Sequence, residues 1–164
     1  MNVTDTSMRW WRQSHGYSFI ELVVSTAILM ILASAALPLA RMSMKRQKEA
    51  ELHRDLREMR TALDAYKDAV TTGVIGGVSV TGTDGYPPDL DTLVNGVVRA
   101  NSATSAKIKF LRRIPVDPMT GAADWGLRAS GDNPDAQAWG GGNVYDVYSK
   151  SDGIGIDGTK YKTW

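Results

Sequence analysis

The 164-residue sequence contains no cysteine, which excludes a disulfide staple, a thiolate nucleophile and any cysteine-based metal centre. Histidine is almost missing too, with only His15 and His53. No nucleophile stands beside a base in the pattern of the chain, so no catalytic constellation is assembled and no enzyme activity is expected. Charge of one sign is also lacking: 19 basic residues face 18 acidic ones, a formal net charge of +1. Without Asp5, Arg9 and Arg12 at the N-terminal end, 17 of each remain. A chain so balanced has no bulk field with which to attract nucleic acid, and none is expected as a partner.

What the sequence does have is one long apolar run. From Leu22 to Ala40 there is no charged residue. A helix rising about 1.5 Å per residue needs about 20 such residues to cross a hydrocarbon core of about 30 Å. A buried core helix is the plain alternative, but soluble helices carry a polar stripe, and Ser25, Thr26 and Ser34 make only a broken one. A cleaved secretory signal is the other alternative: Arg9 and Arg12 resemble a basic n-region, and Ala33 to Ala36 offer small residues for a cut. Against it stand the length of the run and Gly16 and Glu21 on its front edge. A carboxylate in an apolar span is costly, less so near its end, and marks a functional candidate.

These residues carry a resemblance. Gly16-Tyr17-Ser18-Phe19-Ile20-Glu21 ahead of an apolar helix resembles the class III signal of type IV pilins and of the pseudopilins of type II secretion. The resemblance implies that a membrane-embedded prepilin peptidase cuts after Gly16 on the cytoplasmic side, removes residues 1–16 and methylates the new N-terminus, Tyr17. Glu21 then takes the place of the family's acid, and Pro38 falls where many members carry a helix-breaking proline. Phenylalanine is usual where this chain has Tyr17. In lipid an amine and a carboxylate each need a partner more than in water. Glu21 of one subunit is therefore expected to meet the Tyr17 amine of its neighbour and set the axial register of an assembly.

Charge counting opposes that topology. Two basic residues precede the run, whereas Arg41, Lys45, Arg46 and Lys48 follow it, and the positive-inside rule alone places the C-terminal side in the cytoplasm. The leader reading requires the reverse: N-terminus cytoplasmic, head periplasmic, single pass through the inner membrane.

Beyond Ala40 the sequence turns polar but keeps a helical period. Leu52, Leu56, Met59, Leu63, Tyr66 and Val70 form one stripe, the mark of an amphipathic helix packed on a sheet. Charged residues, Glu49, Asp55, Glu58 and Asp64 among them, are assigned to the remaining faces with Lys45, Lys48, Arg54, Arg57, Arg60 and Lys67. Pro38, which lacks an N–H, is expected to bend or open the helix locally. Gly73, Gly76, Gly77 and Gly82 break the pattern, with Val74-Ile75 and Val78-Ser79-Val80 as short extended pieces. Tyr86-Pro87-Pro88 is extended, and Asp89 or Asp91 caps a short helix carrying Leu90, Leu93 and Val94. Residues 96–109 give no clear pattern. Pro118 to Gly121 reads as a tight turn, and Trp125–Arg128 and Val144–Ser149 as strands.

The stretches Gly85 to Val94, Phe110 to Gly126 and Val144 to Trp164 are again similar to the major pseudopilins, the G subunits of type II secretion. The implied fold is α+β and type IV pilin-like. A long N-terminal helix, apolar in its first half, packs on a small antiparallel sheet with a C-terminal loop. The divisions are 1–16 for the cleaved leader, 17–40 for the transmembrane and assembly helix, and 41–164 for the periplasmic head. The implied function is structural: a homopolymeric pseudopilus driving folded proteins across the outer membrane. Implied partners are further copies, minor pseudopilins, the peptidase, and the inner-membrane secretion platform with its ATPase. A type IV pilin for adhesion, motility or DNA uptake is the alternative, and the missing cysteines lean against its usual disulfide loop. An anchored periplasmic binding module is a third reading.

The C-terminal loop supplies the metal candidate. Ser149, Asp152 and Asp157 lie in a glycine-rich stretch; calcium takes six to eight oxygens, and glycines let carbonyls converge. By resemblance the matching loop of the major pseudopilins binds calcium, although this loop is shorter and poorer in acids. Plain Asp-Gly turns are the equal alternative. Trp125, Trp139, Tyr145, Tyr148, Tyr161 and Trp164 are expected in core and lid rather than as a sugar platform. His53 reads as solvated. Lys107, Lys109, Arg112 and Arg113 read as a solvated or subunit-facing patch rather than a DNA contact.

Overall fold

The computed structural model of the chain describes residues 16, 18–75, 84–100 and 105–164. The leader as far as His15, Tyr17, the glycines at 76, 77 and 82 and the extended piece expected at Val78–Val80 lie outside the described residues. The fold is α+β. Its main element is α1, Phe19–Thr71, 53 residues with Pro38 inside. The chain divides into two compact units, Met1–Met42 and Ser43–Trp164.

In the first unit the apolar side chains are left uncovered: Phe19, Ile20, Leu29, Met30, Ile31, Leu32, Leu37 and Leu39 are all exposed. An 18-residue window has a mean hydropathy of 2.3 with none of it buried, so α1 is long and apolar enough to cross a membrane. A core helix of a soluble protein hides such a face. Helical structure continues on both sides of Pro38, although the proline has no N–H for the carbonyl one turn earlier.

The second unit has an ordinary core. On α1, Leu52, Leu56, Met59, Leu63 and Tyr66 are buried against Ile75, Leu90, Leu93, Leu111, Trp125, Val144, Val147 and Tyr161, with Val70 packed at the edge. Each fully buried aliphatic side chain contributes roughly 1.5–3 kcal/mol. The helical stripe lies as its period requires. α2, Leu90–Asn95, is capped by Asp89, whose carboxylate accepts from the Thr92 amide and hydroxyl at 2.7 Å each. Gly96 ends it at φ 76°; a Cβ there would stand 2.7 Å from the Ile108 carbonyl oxygen.

Among the described residues the antiparallel layer is two separate two-stranded sheets. β1, Val97–Val98, pairs with β2, Lys107–Ile108, through Val97 opposite Ile108, within the stretch that has no readable pattern. β3, Trp125–Arg128, pairs with β4, Asp146–Ser149, Trp125 opposite Ser149 and Arg128 opposite Asp146. The second strand is shorter than its sequence pattern, because the Val144 amide leaves the ladder to donate to the Pro87 carbonyl at 2.8 Å. Tyr161–Thr163 form a closing 3-10 turn. At Pro118 to Gly121 the Gly121 amide reaches back to the Asp117 carbonyl at 2.7 Å with φ 74°.

One helix residue departs from its assigned solvated face. Asp55 is buried, in the wall of a groove that residues 112–116 also line. Burial pushes its carboxyl above the usual range, with Arg54 beside it, Nε at 3.6 Å, pulling the other way. His53 is exposed, as its sequence reading expects, and one face of its ring stacks on Trp164, ring centroids 4.2 Å apart and nearly parallel at 8°.

Candidate functional site

The N-terminal element begins at Gly16, exposed, with open space around its α-carbon. The Leu22 amide donates to the Ser18 carbonyl at 3.1 Å, the first turn of the helix. Glu21 sits in that turn and is exposed, where a carboxylate is favoured by the helix dipole by roughly 0.3–1 kcal/mol in water. Further along, Thr26 Oγ1 donates to the Leu22 and Val23 carbonyls at 2.9 Å each, and Ser34 Oγ to the Ile31 carbonyl at 2.7 Å. These hydroxyls are satisfied inside the helix, so their presence in an apolar medium needs no outside partner.

The three metal candidates are each engaged elsewhere. Ser149 Oγ is fully buried and donates to Asp117 Oδ2 at 2.6 Å while accepting from the Ser151 amide at 3.1 Å. Asp152 Oδ1 lies 2.5 Å from Lys162 Nζ, and that ammonium holds its carboxyl below the usual range. Asp157 accepts from the Thr159 amide at 2.9 Å and from the Thr159 hydroxyl at 2.8 and 2.9 Å. The backbone amide is the main cause of its lowered pKa. Among the described residues no three His, Cys, Asp or Glu side chains gather.

The glycines of this loop have a different use from converging carbonyls. A Cβ on Gly153 would stand 2.7 Å from the Tyr161 ring, and one on Gly155 would stand 2.7 Å from the Trp164 ring and 2.6 Å from Asp157 Oδ1. The rings of the chain end lie directly on the loop backbone. As arranged here, Ser149, Asp152 and Asp157 do not fit a calcium site: one oxygen is a buried donor, one carboxylate already has a cation, and the third closes its own turn.

Side chains with no distinguishing mark in the sequence hold this segment. Glu49 Oε1, on α1, accepts from the Ile156 amide at 2.9 Å and from the Tyr161 hydroxyl at 2.8 Å. Burial, with Glu49 adding to it, pushes the Tyr161 phenol up to about 12. Lys45 Nζ donates to the Ile154 carbonyl at 2.7 Å. Arg60 Nη2 donates to the Trp164 backbone oxygen at 2.7 Å, and Arg128 Nη2 to the Lys162 carbonyl at 2.9 Å. Asp146 joins the two arginines, Oδ1 at 2.7 Å from Arg60 Nε and Oδ2 at 3.1 Å from Arg128 Nη1. On α1, Lys45, Glu49 and Arg60 look like any solvated charges of an amphipathic helix, and only long-range partners distinguish them.

The aromatic residues do not form one platform. Trp125, Tyr148 and Tyr161 are buried, whereas Trp139 and Tyr145 are exposed. Trp139 Nε1 donates to the Asn143 carbonyl at 2.8 Å. In the basic cluster, Arg112 and Arg113 line a groove together with Glu51, Asp55 and Glu58, which interleaves acids among the cations.

Residues 11–37 match the family model of the prokaryotic N-terminal methylation motif. The chain thus carries a prepilin-like leader of the type IV pilin and pseudopilin class, and the leader together with the apolar helix points to membrane anchoring. Comparison with curated proteins and with solved structures gave no match.

Proposed function

We propose that the chain is a structural subunit of a type II secretion pseudopilus, anchored by α1 in the inner membrane until it is drawn into a filament. The observation that carries this reading is the uncovered apolar length of α1 behind a methylation motif. A span whose hydroxyls bond internally is stable in lipid and equally able to pack on copies of itself. In this reading Gly16 is the residue before the cut and Tyr17 the methylated N-terminus. Glu21, uncovered in the first turn, pairs with a neighbour's Tyr17 amine, and Pro38 eases the helix into the bundle. The head lies in the periplasm, and the partners are copies of the chain, minor pseudopilins, the prepilin peptidase and the secretion platform with its ATPase. The role is architectural rather than catalytic.

The same motif serves type IV pilins, and the two uses separate by phenotype. In a deletion strain, loss of folded exoprotein secretion with motility and transformation intact is the expected result. Loss of motility with secretion intact would overturn the choice. Glu21→Leu is expected to remain in the membrane and fail to form filaments; assembly at the wild-type level would remove the pairing from the reading.

A further inference from the structure

We propose that segment 150–164 is closed by the protein's own side chains in place of a metal ion, with Glu49 as the central clasp. Three observations converge on this. First, the carboxylates have occupants: Lys162 supplies the positive charge facing Asp152, and Thr159 takes both oxygens of Asp157. A cation entering between them would have to displace an ammonium from one and a turn from the other. Second, the glycines are required by the Tyr161 and Trp164 rings, which occupy the space above Gly153 and Gly155.

Third, backbone groups of the segment are held from outside the loop. The Ile156 amide goes to Glu49, the Ile154 carbonyl to Lys45, the Lys162 carbonyl to Arg128 and the Trp164 oxygen to Arg60. Within the loop, the Gly155 amide bonds the Thr159 carbonyl at 2.7 Å and Ile154 bridges to Lys160. Glu49 is the best placed of the clasps, because its side chain is only 12% exposed and one of its oxygens serves two donors. Charge-assisted hydrogen bonds to so sheltered a carboxylate are the strong kind. The consequence for the molecule is that its C-terminal closure does not follow calcium in its surroundings.

The test is amide hydrogen exchange at Gly155, Ile156 and Tyr161 in the full chain in detergent, in EGTA and in millimolar calcium. Wild type is expected to show the same protection in both, within about twofold, and the same melting temperature. Glu49→Ala is expected to speed exchange at these amides by about tenfold or more, the factor that one lost charge-assisted hydrogen bond implies, with no recovery in calcium. Tyr161→Phe, which keeps the Ile156 bond and loses the phenol, is expected to fall between, and it stands in if Glu49→Ala does not fold. Faster exchange of wild type in EGTA would overturn the proposal. So would a rise of roughly 10 °C in melting temperature at calcium a hundredfold above its Kd. Unchanged exchange in Glu49→Ala would overturn it equally, since the clasp would then not be what closes the segment.

Discussion

Replacing Asp146 by alanine removes the one acid shared by Arg60 and Arg128, and the two arginines feel the loss differently. Arg60 has a side chain 39% exposed and keeps the Val147 carbonyl and Trp164 oxygen as acceptors, so its ion pair is worth the roughly 0.2–1 kcal/mol of an exposed pair. Arg128 is 5% exposed. Stripping the partner from a buried charge costs about 3–5 kcal/mol when nothing replaces it. Here the Ala136 and Lys162 carbonyls still accept from it at 3.0 and 2.9 Å, and the Tyr148 ring lies 4.2 Å beneath it. The remaining loss for Asp146→Ala is about 2–3 kcal/mol, a fall of roughly 8–12 °C in melting temperature for a unit of this size. Thermal unfolding of the full chain in detergent, followed by near-ultraviolet circular dichroism, measures it. A double-mutant cycle then apportions it: coupling of Asp146 to Arg128→Met should exceed coupling to Arg60→Met. A loss below about 0.5 kcal/mol, or coupling larger at Arg60, would refute the assignment of Arg128 as the buried member.

Gly126→Ala is expected to destabilise by roughly 1–3 kcal/mol, because the new Cβ would overlap the Tyr148 ring, and Arg128 on the ring limits its retreat; equilibrium denaturation checks it. Asp55 has its pKa raised by burial, so the folded state holds its proton more tightly than the unfolded one, and its contribution falls as pH climbs from about 4 through the raised value. Asp55→Asn should therefore raise the melting temperature at pH 7 and leave it unchanged in acid. Tyr161, raised to about 12, contributes stability below its unfolded value near 10 that is lost as pH rises towards 12. An alkaline titration at the tyrosinate absorbance should show Tyr161 ionising late, alongside Tyr66, whose phenol burial also raises, and Glu49→Ala should move only the Tyr161 step earlier.

The stripe from Leu52 to Tyr66 and the cap at Asp89 were legible because each rests on neighbours in sequence: a helical period in one case, a side chain reaching an amide three residues on in the other. β1 and β2 were not legible. Two-residue strands hold no period, and their pairing is decided by where Gly96 and Leu93 bring the backbone, which is tertiary information. Asp55 was misplaced for a related reason. Its helical position lies beside the apolar stripe, and on that flank residues 112–116 come to line a groove with it. The metal candidates rest on composition, since acids and glycines in a loop suit either a cation or a tight turn. What separates the two is the identity of each partner, and Lys162 and Thr159 were as ordinary in the sequence as Asp152 and Asp157.

The same contrast explains why the N-terminal element could be read so far ahead of the rest. Its working properties are properties of a segment: length, apolarity, hydroxyls bonded one turn back, an acid in the first turn. None needs a distant partner to exist, because in the proposed function the medium that receives the helix is supplied from outside the chain. The head is the reverse case. Arg60, Arg128 and Glu49 acquire their roles only when strands and chain end arrive, so a substitution there changes closure of the segment while leaving every N-terminal signal intact. Variants at Glu49 and at Glu21 should accordingly fail in distinguishable ways: the first anchored with an open C-terminal segment, the second with a sound head and no assembly.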